Sequence, residues 1–390
     1  MVKNVKTLLE ILFVSTYLGL TSFGGPIAHL GYFHNEYVRK RKWLDEKAYS
    51  ELVALAQFLP GPASSQVGIG IGVMRAGLLG GIVSFIGFTL PSVLALIFFA
   101  LAIQTDIAKS GWINGLKIVA VAIVAQAILG MANKLTPDLK RRIIALISFV
   151  ILLIWQTTFT QISVIVFSGL IGFLLFRNKS EVEISTDFNF PISRSFGAGC
   201  LILFFGLLIL LPILRENTTF SWVQMFDSFY RSGSLVFGGG HVVLPLLERE
   251  FVPLGLLSKE DFIAGYGLTQ AVPGPLFTFA AYIGAVIGGW KGGLLATFAI
   301  FLPAFLLILG ALPFWNSLRK NPKVNSAFMG ANACVVGILI SAFYDPIWTS
   351  TVKSPTDFAF TAVLFSMLTF GKLPPWLVVI SGAIGGFLFL

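Results

Sequence analysis

Charge is scarce in this chain: Asp, Glu, Lys and Arg make up 12% of its 390 residues, against 56% that are hydrophobic. A soluble domain carries about 25% charged residues. The excess apolar surface must therefore face something other than water, and lipid is the ordinary answer. Cysteine is nearly absent. Cys200 and Cys334 lie in apolar segments, with no metal-ligand spacing and no disulfide framework. The three histidines, His29, His34 and His241, form no HExxH pattern. No metal, redox centre or cofactor is expected. There is no GxxxxGKS or GxxxxGKT loop and no soluble nucleotide-binding domain. Transport driven directly by ATP within this polypeptide is thereby disfavoured, and an ion gradient becomes the natural source of work.

Long apolar runs are what the chain does have. Segments 52–74, 78–105, 143–176, 196–214, 262–290, 292–318 and 324–344 contain no Asp, Glu, Lys or Arg. About 20 apolar residues cross a bilayer as a helix. The 143–176 run is long enough for two short passes, turning at Gln156-Thr157-Thr158. The runs do not alternate in polarity, which disfavours a β-barrel. The expectation is an all-α, polytopic integral membrane protein. Its net charge of +9 then reads as basic cytoplasmic loops rather than as a nucleic-acid surface. Lys3 and Lys6 before an apolar stretch imitate a signal peptide. Glu10 and the lack of a small-x-small cleavage site predict a retained first helix instead.

The chain repeats itself. Phe23-Gly24-Gly25 recurs as Phe237-Gly238-Gly239, 214 positions later, and Glu36 recurs as Glu250 at the same offset. Gln57-x-x-Pro60-Gly61-Pro62 recurs as Gln270-x-x-Pro273-Gly274-Pro275 after 213. Gly80-Gly81 and Leu90-Pro91 recur at Gly292-Gly293 and Leu302-Pro303 after 212. Ordered landmarks with so small a drift mark a duplication. The polar stretch 178–195 then separates one repeat, 1–177, from a second, 196–390. On this reading 196–214 precedes the second Phe-Gly-Gly as 7–22 precede the first. Loop charges swap phase between the repeats. Residues 36–47 are rich in Lys and Arg where their counterpart 248–261 is not, whereas 316–323 are basic where 104–112 are not. Under the positive-inside rule that is the mark of inverted repeats, a recurrent plan among secondary transporters.

Pro-Gly-Pro within an apolar run must break a helix, because each proline removes a donor and pushes its predecessor out of helical conformation. Broken backbone at membrane depth is tolerated only inside protein or beside a water-filled cavity, so broken or re-entrant helices are expected. A half-helix beginning there aims its N–H groups and positive dipole end at the break, which favours an anion. The Phe-Gly-Gly segments, with Gly240, add backbone able to form an anion nest. Kinking or close packing is the alternative use of Pro and Gly in membrane helices. The duplicated pair, each with its Gln, favours a substrate pathway. The candidate binding residues are Gly24, Gly25, Gln57, Pro60, Gly61, Pro62, Gly238, Gly239, Gly240, Gln270, Pro273, Gly274 and Pro275. Lys117 joins them as a charge near the start of an apolar helix; there it either faces a cavity or snorkels to the interface. Glu36, Glu248, Glu250, His29 and His241 are proton-coupling candidates, with ordinary loop or interface roles as the alternative.

Thr21-Ser22-Phe23-Gly24-Gly25-Pro26 followed by Gln57-Phe58-Leu59-Pro60-Gly61-Pro62, with Phe237-Gly238-Gly239-Gly240-His241 and Gln270-Ala271-Val272-Pro273-Gly274-Pro275 in the second half, resembles the chromate ion transporter family in its long, two-domain form. The resemblance implies a prokaryotic inner-membrane protein that exports chromate by secondary active transport, with protons as the coupling ion and oppositely oriented halves. Some members of that family are connected with sulfate, so it implies a tetrahedral oxyanion more firmly than chromate itself. Gly240-His241 stand where the first copy has Pro26-Ile27, so the repeats need not contribute equally. A passive anion channel and an intramembrane enzyme remain the alternatives. A homo-oligomer is compatible with this reading.

Overall fold

The computed structural model describes residues 5–389 except 24, 104–110, 156, 177–191, 219–220, 238–239, 316–317 and 319–321. The described residues form helices and turns with no strand. The helices are α1 (Val5–Thr21), α2 (Gly25–Phe33), α3 (Glu46–Phe58), α4 (Ala63–Ile103), α5 (Gly111–Leu135), α6 (Leu139–Ile154) and α7 (Thr158–Leu175). They continue as α8 (Arg194–Glu216), α9 (Ser221–Ser234), α10 (Val243–Phe251), α11 (Lys259–Ala271), α12 (Phe279–Ala311), α13 (Pro322–Ala342), α14 (Pro355–Thr369) and α15 (Pro375–Phe389). Large apolar side chains such as Phe98, Ile202 and Phe387 are exposed along the outside, as a lipid-facing belt requires.

The longest helices are folded back on themselves. In α4, Ala76 (φ −141°) and Gly77 (φ 69°) interrupt the helix. A Cβ on Gly72 would collide with the Gly80 carbonyl, and Ser84 Oγ donates to the Gly68 carbonyl at 2.9 Å. Pairs that close on either side of an elbow belong to an antiparallel hairpin. Its first arm, 63–75, is about 20 Å long at 1.5 Å per residue, too short to cross. The second arm, 78–103, crosses. α12 repeats the device, with its elbow at Gly288 and Gly289 and Gly284 set tightly against Gly292. Lipid offers no hydrophobic gain for helix pairing, so backbone approach through small residues supplies the contact.

Each short arm pairs with the helix before it. α3 is capped by Asp45, which accepts from Ala48 N at 2.7 Å; α11 is capped by Ser258, which accepts from Asp261 N at 3.0 Å. Both helices stop at the residue before a proline, Leu59 and Val272, each in extended conformation. Leu52 of α3 packs on Gly70, and Arg75 lies 4.6 Å over the Trp43 ring, so both ends of this hairpin lie at one face. In the second repeat Gly265 sits against the Tyr282 ring. The chain therefore enters, turns at Pro-Gly-Pro and returns. α1 does the same with α2 and the helical turn His34–Lys40 that continues it: Ser15 meets Tyr37 at 3.3 Å, and Glu10 meets Arg41 at 3.6 Å. α9 with α10 matches it, through Ser228 donating to Glu250 at 2.7 Å. Two re-entrant hairpins come from each face.

One reading is corrected. Residues 196–214 are not the counterpart of 7–22. Gly19 of α1 abuts the Phe88 carbonyl and Gly233 of α9 abuts the Ile300 carbonyl, which places α9 in the role of α1. α8 has no counterpart among the described residues of the first repeat. It is the extra crossing that turns the second repeat over. The closing hairpins are exchanged: Gly172 of α7 packs on Gly330 of α13, while Gly115 of α5 packs on Gly382 of α15. Of the proposed linker 178–195, residues 178–191 lie outside the described residues.

Candidate functional site

Gly61 and Gly274 hold φ of +112° and +109°, a region that favours glycine. Gly61 N donates to the Val236 carbonyl at 2.7 Å, and Gly274 N donates to the Ser22 carbonyl at 3.0 Å. Ser22 and Val236 each stand one residue before a Phe-Gly-Gly. The Pro-Gly-Pro tip of each repeat is thus bonded to the Phe-Gly-Gly tip of the other, by equivalent bonds about a pseudo-two-fold axis.

All four return arms start at these tips. α2 begins at Gly25 (φ +77°), and α4 begins at Ala63. α10 and α12 are preceded by 3-10 turns at Gly240–Val242 and Leu276–Thr278. A Cβ on Gly240 would lie 3.2 Å from Leu276 Cδ1 and 3.3 Å from Pro26 Cγ, so three of the starts are in contact. Converging helix N-termini concentrate free N–H groups and positive potential, the usual arrangement for an anion in a transporter with broken helices.

Buried polar atoms without partners gather on the same segments. Among the described residues these include Ser22 Oγ, His29 Nε2, Ser65 Oγ, Gln66 Oε1, Thr89 Oγ1 and Gln270 Nε2, all on residues at most 8% exposed. Each such group costs about 1–3 kcal/mol if left unsatisfied, so the cluster calls for a polar occupant. His29 Nδ1 lies 3.3 Å from Ser64 Oγ; when that hydroxyl donates, Nε2 carries the proton and becomes a donor. Gln66 Nε2 donates to the Pro60 carbonyl at 2.9 Å, closing the first tip. Ser92 donates to the Thr89 carbonyl at 3.0 Å beside Gly274.

Of the residues singled out by sequence, Pro60, Gly61, Pro62, Gly240, Gln270, Gly274 and Pro275 are buried at the tips, and Gly25 and Pro273 are partly buried. Gln57 is exposed on the last turn of α3, unlike its counterpart Gln270. Gly24, Gly238 and Gly239 lie outside the described residues. Lys117 is not brought to the tips. Its amine donates to Asn114 at 3.5 Å and faces Glu260 and Asp261, at the far end of α11 from Gln270. His241 Nδ1 lies 2.6 Å from Tyr266 Oη. Among the described residues no group of three or more His, Cys, Asp or Glu is placed to hold a metal.

Of the candidate proton carriers, the carboxylates Glu36, Glu248 and Glu250 lie at the mouths, whereas His29 and His241 lie by the tips. Burial pushes Glu36 up, but hydrogen bonds from Arg41 (2.8 Å) and Lys40 (3.1 Å) outweigh it and hold the carboxyl below its usual range. Glu250 meets Arg215 at 3.0 Å and Arg231 at 3.1 Å, with Asp227 in the same cluster. Glu248 differs. Burial pushes its carboxyl up to about 7, against the pull of Arg249 and Lys259, with Asp345 adding to the rise.

Sequence reasoning missed Ser22, Ser64, Ser65, Gln66, Thr89 and Ser92. The signal was present: Ser64-Ser65-Gln66 stands one residue past the first Pro-Gly-Pro, inside a charge-free run. The second repeat has Phe277-Thr278-Phe279 there, so the first repeat supplies most of the polar lining.

A family described as "Chromate transporter" matches this chain twice, over residues 9–173 and 223–387. α8 falls between the two matches. An uncharacterized transporter of Methanocaldococcus jannaschii is 26% identical over 401 residues, covering 100% of this chain and 96% of that protein. A probable chromate transport protein of Synechococcus elongatus is 28% identical over 383 residues, covering 95% and 93%. A chromate transport protein of Pseudomonas aeruginosa is 24% identical over 385 residues, covering 95% and 89%. No solved structure matches the chain.

Proposed function

The chain belongs to the chromate transporter family, and from that premise we propose that it is a secondary transporter exporting a chromate-like tetrahedral oxyanion through the inner membrane. The observation that carries this reading is the reciprocal pair of bonds, Gly61 N to the Val236 carbonyl and Gly274 N to the Ser22 carbonyl. They support a single site assembled from both repeats, at the depth where neither repeat's hairpins reach the opposite face.

In this reading the dianion lies among the starts of α2, α4, α10 and α12. Ser22, Ser65, Thr89 and Gln270 donate to its oxygens, together with His29 Nε2. Helix N-termini favour the charge, and their fixed donors need no reorganisation on binding. Gly25, Gly61, Gly240 and Gly274 let backbone approach closely. Gln57, exposed beside the first tip, and Lys117, at the mouth near α11, belong to the approach route. Rocking of one repeat against the other then opens the site to each face in turn, as in other inverted-repeat transporters. Inward movement of protons supplies the work. Glu248 suits that exchange better than Glu36 or Glu250, because each of those accepts hydrogen bonds from two cations and Glu248 accepts none among the described residues, while burial pushes its carboxyl up.

The donors suit sulfate as well as chromate, since both are tetrahedral dianions. Chromate uptake into everted vesicles containing the protein, with an imposed proton gradient, tests the proposal. Uptake that collapses with a protonophore is expected, and the degree to which excess sulfate reduces it ranks the two dianions. Uptake that never exceeds equilibration identifies a passive channel. Absence of uptake by demonstrably folded protein removes chromate as the substrate.

A further inference from the structure

α6 and α7 follow each other closely in the chain, yet each packs more extensively on α13 than on the other. Gly337 of α13 meets the Ala145 carbonyl and Phe149 N of α6, and Gly330 meets Gly172 of α7. Small residues at both seams draw the two helices onto α13 and leave a cleft between them. It has a volume of about 700 Å³ and walls that include Ile147, Ile151, Phe167 and Ile171. Ser148 and Ser168, 3.5 Å apart, lie across it from one another. Trp155 closes one end and Lys140 stands at the other.

The size selects the occupant. α6 is about 24 Å long at 1.5 Å per residue, and a helix 10–12 Å across would need roughly 2000 Å³ over that length. An alkyl chain about 4 to 5 Å across fills roughly 400 Å³ over the same distance. The cleft takes a chain and not a helix. The charge selects the headgroup. At the basic end Arg141 is paired with Asp138 at 2.8 Å, and Arg142 Nε donates to the Thr136 carbonyl at 3.1 Å. Lys140 is exposed and makes no ion pair among the described residues. Lys134, Lys140, Arg141 and Arg142 mark this end as the cytoplasmic face, where anionic headgroups meet basic pockets between helices.

We propose that the α6–α7 cleft binds an anionic phospholipid, one acyl chain lying between the two helices and the phosphate on Lys140. The site is independent of the oxyanion pathway, because it opens to the bilayer and shares no residue with the hairpin tips.

Purified full-length protein in nanodiscs tests it. Trp155 reports on the chain, read as the fluorescence difference between the parent and Trp155→Phe. Brominated-chain phosphatidylglycerol should quench that component with about fivefold higher affinity than brominated phosphatidylcholine. Lys140→Glu should abolish the preference while keeping the quenching. Ser163→Phe, which fills the cleft from α7, should abolish the quenching itself. Equal quenching by the two lipids in the parent, or quenching unchanged by Ser163→Phe, overturns the proposal. So does a Phe167→Cys variant, lacking Cys200 and Cys334, that forms disulfide dimers in place of quenching, since a second copy would then occupy the cleft.

Discussion

At Gly274 one added methyl group is opposed twice. The backbone φ of +109° costs a non-glycine residue about 1–3 kcal/mol, and the new Cβ would lie 2.6 Å from Ser92 Oγ. At Gly61 the nearest atom is Gln66 Nε2 at 3.3 Å, the end of a flexible side chain. Gly274→Ala should therefore slow initial transport in proteoliposomes at least tenfold, and Gly61→Ala less. Adding Ser92→Ala to Gly274→Ala should restore part of the rate, since it removes the collision and leaves only the strain. No recovery would mean that Ser92 Oγ is not where the site needs it. Glu248 gives a pH prediction. Its carboxyl is raised from 4.5 to about 7 by burial, so the folded state holds the proton more tightly than the unfolded chain. The stabilisation from that proton is complete below about pH 4.5 and is lost as pH rises through about 7. Glu248→Gln should melt at a higher temperature than the parent at pH 8 and gain nothing at pH 5. It should also uncouple transport from the imposed proton gradient. A parent whose melting temperature is flat from pH 5 to 8 would contradict the buried carboxyl.

The elbows in α4 and α12 depend on glycine in a different way. Gly72 against Gly80 and Gly284 against Gly292 leave no room for a side chain on either arm. Gly72→Leu and Gly284→Leu should each prevent the hairpin from closing, so that the protein elutes as aggregate in fluorescence-detected size exclusion. Gly206 on α8 has nothing within 4 Å of an added Cβ, and Gly206→Leu should elute as the parent does. Normal elution of both elbow variants would contradict the hairpin. These elements also show where sequence reasoning reached its limit. The Pro-Gly-Pro breaks were legible because proline carries a backbone consequence and because they occur twice, whereas the Phe-Gly-Gly segments read only as permissive backbone. The elbow at Ala76-Gly77 lies between apolar runs with only Arg75 to mark it, and nothing in its composition distinguishes a fold-back from a long crossing. The bonds between tips are main chain to main chain, with no side chain to announce them. Ser65 and Gln66 are distinguished from ordinary polar residues of a membrane helix by their burial without partners, which a sequence does not record.

The inversion is a property of the whole molecule. The swap of basic loops pointed to it, and α8 explains it, because one crossing without a counterpart reverses everything after it. In a background lacking Cys200 and Cys334, Lys40→Cys and Lys323→Cys should react with a membrane-impermeant maleimide only from the cytoplasmic face. Leu254→Cys should react only from the other. Labelling of Leu254→Cys and Lys40→Cys from the same face would mean that the halves run in parallel. Exchange of the closing hairpins ties the repeats together: α7 rests on α13 and α15 on α5, so neither repeat completes its packing alone. The hairpin tips meet within that frame, each bonded to the other repeat. The most direct measurement is therefore equilibrium binding of radiolabelled chromate to the purified protein by scintillation proximity, comparing the parent with Gly61→Val and Gly274→Val, all three monodisperse. One anion per chain in the parent, lost in both variants alike, is the predicted result. Two anions per chain, with one retained in each variant, would show a separate site in each repeat and contradict the shared site.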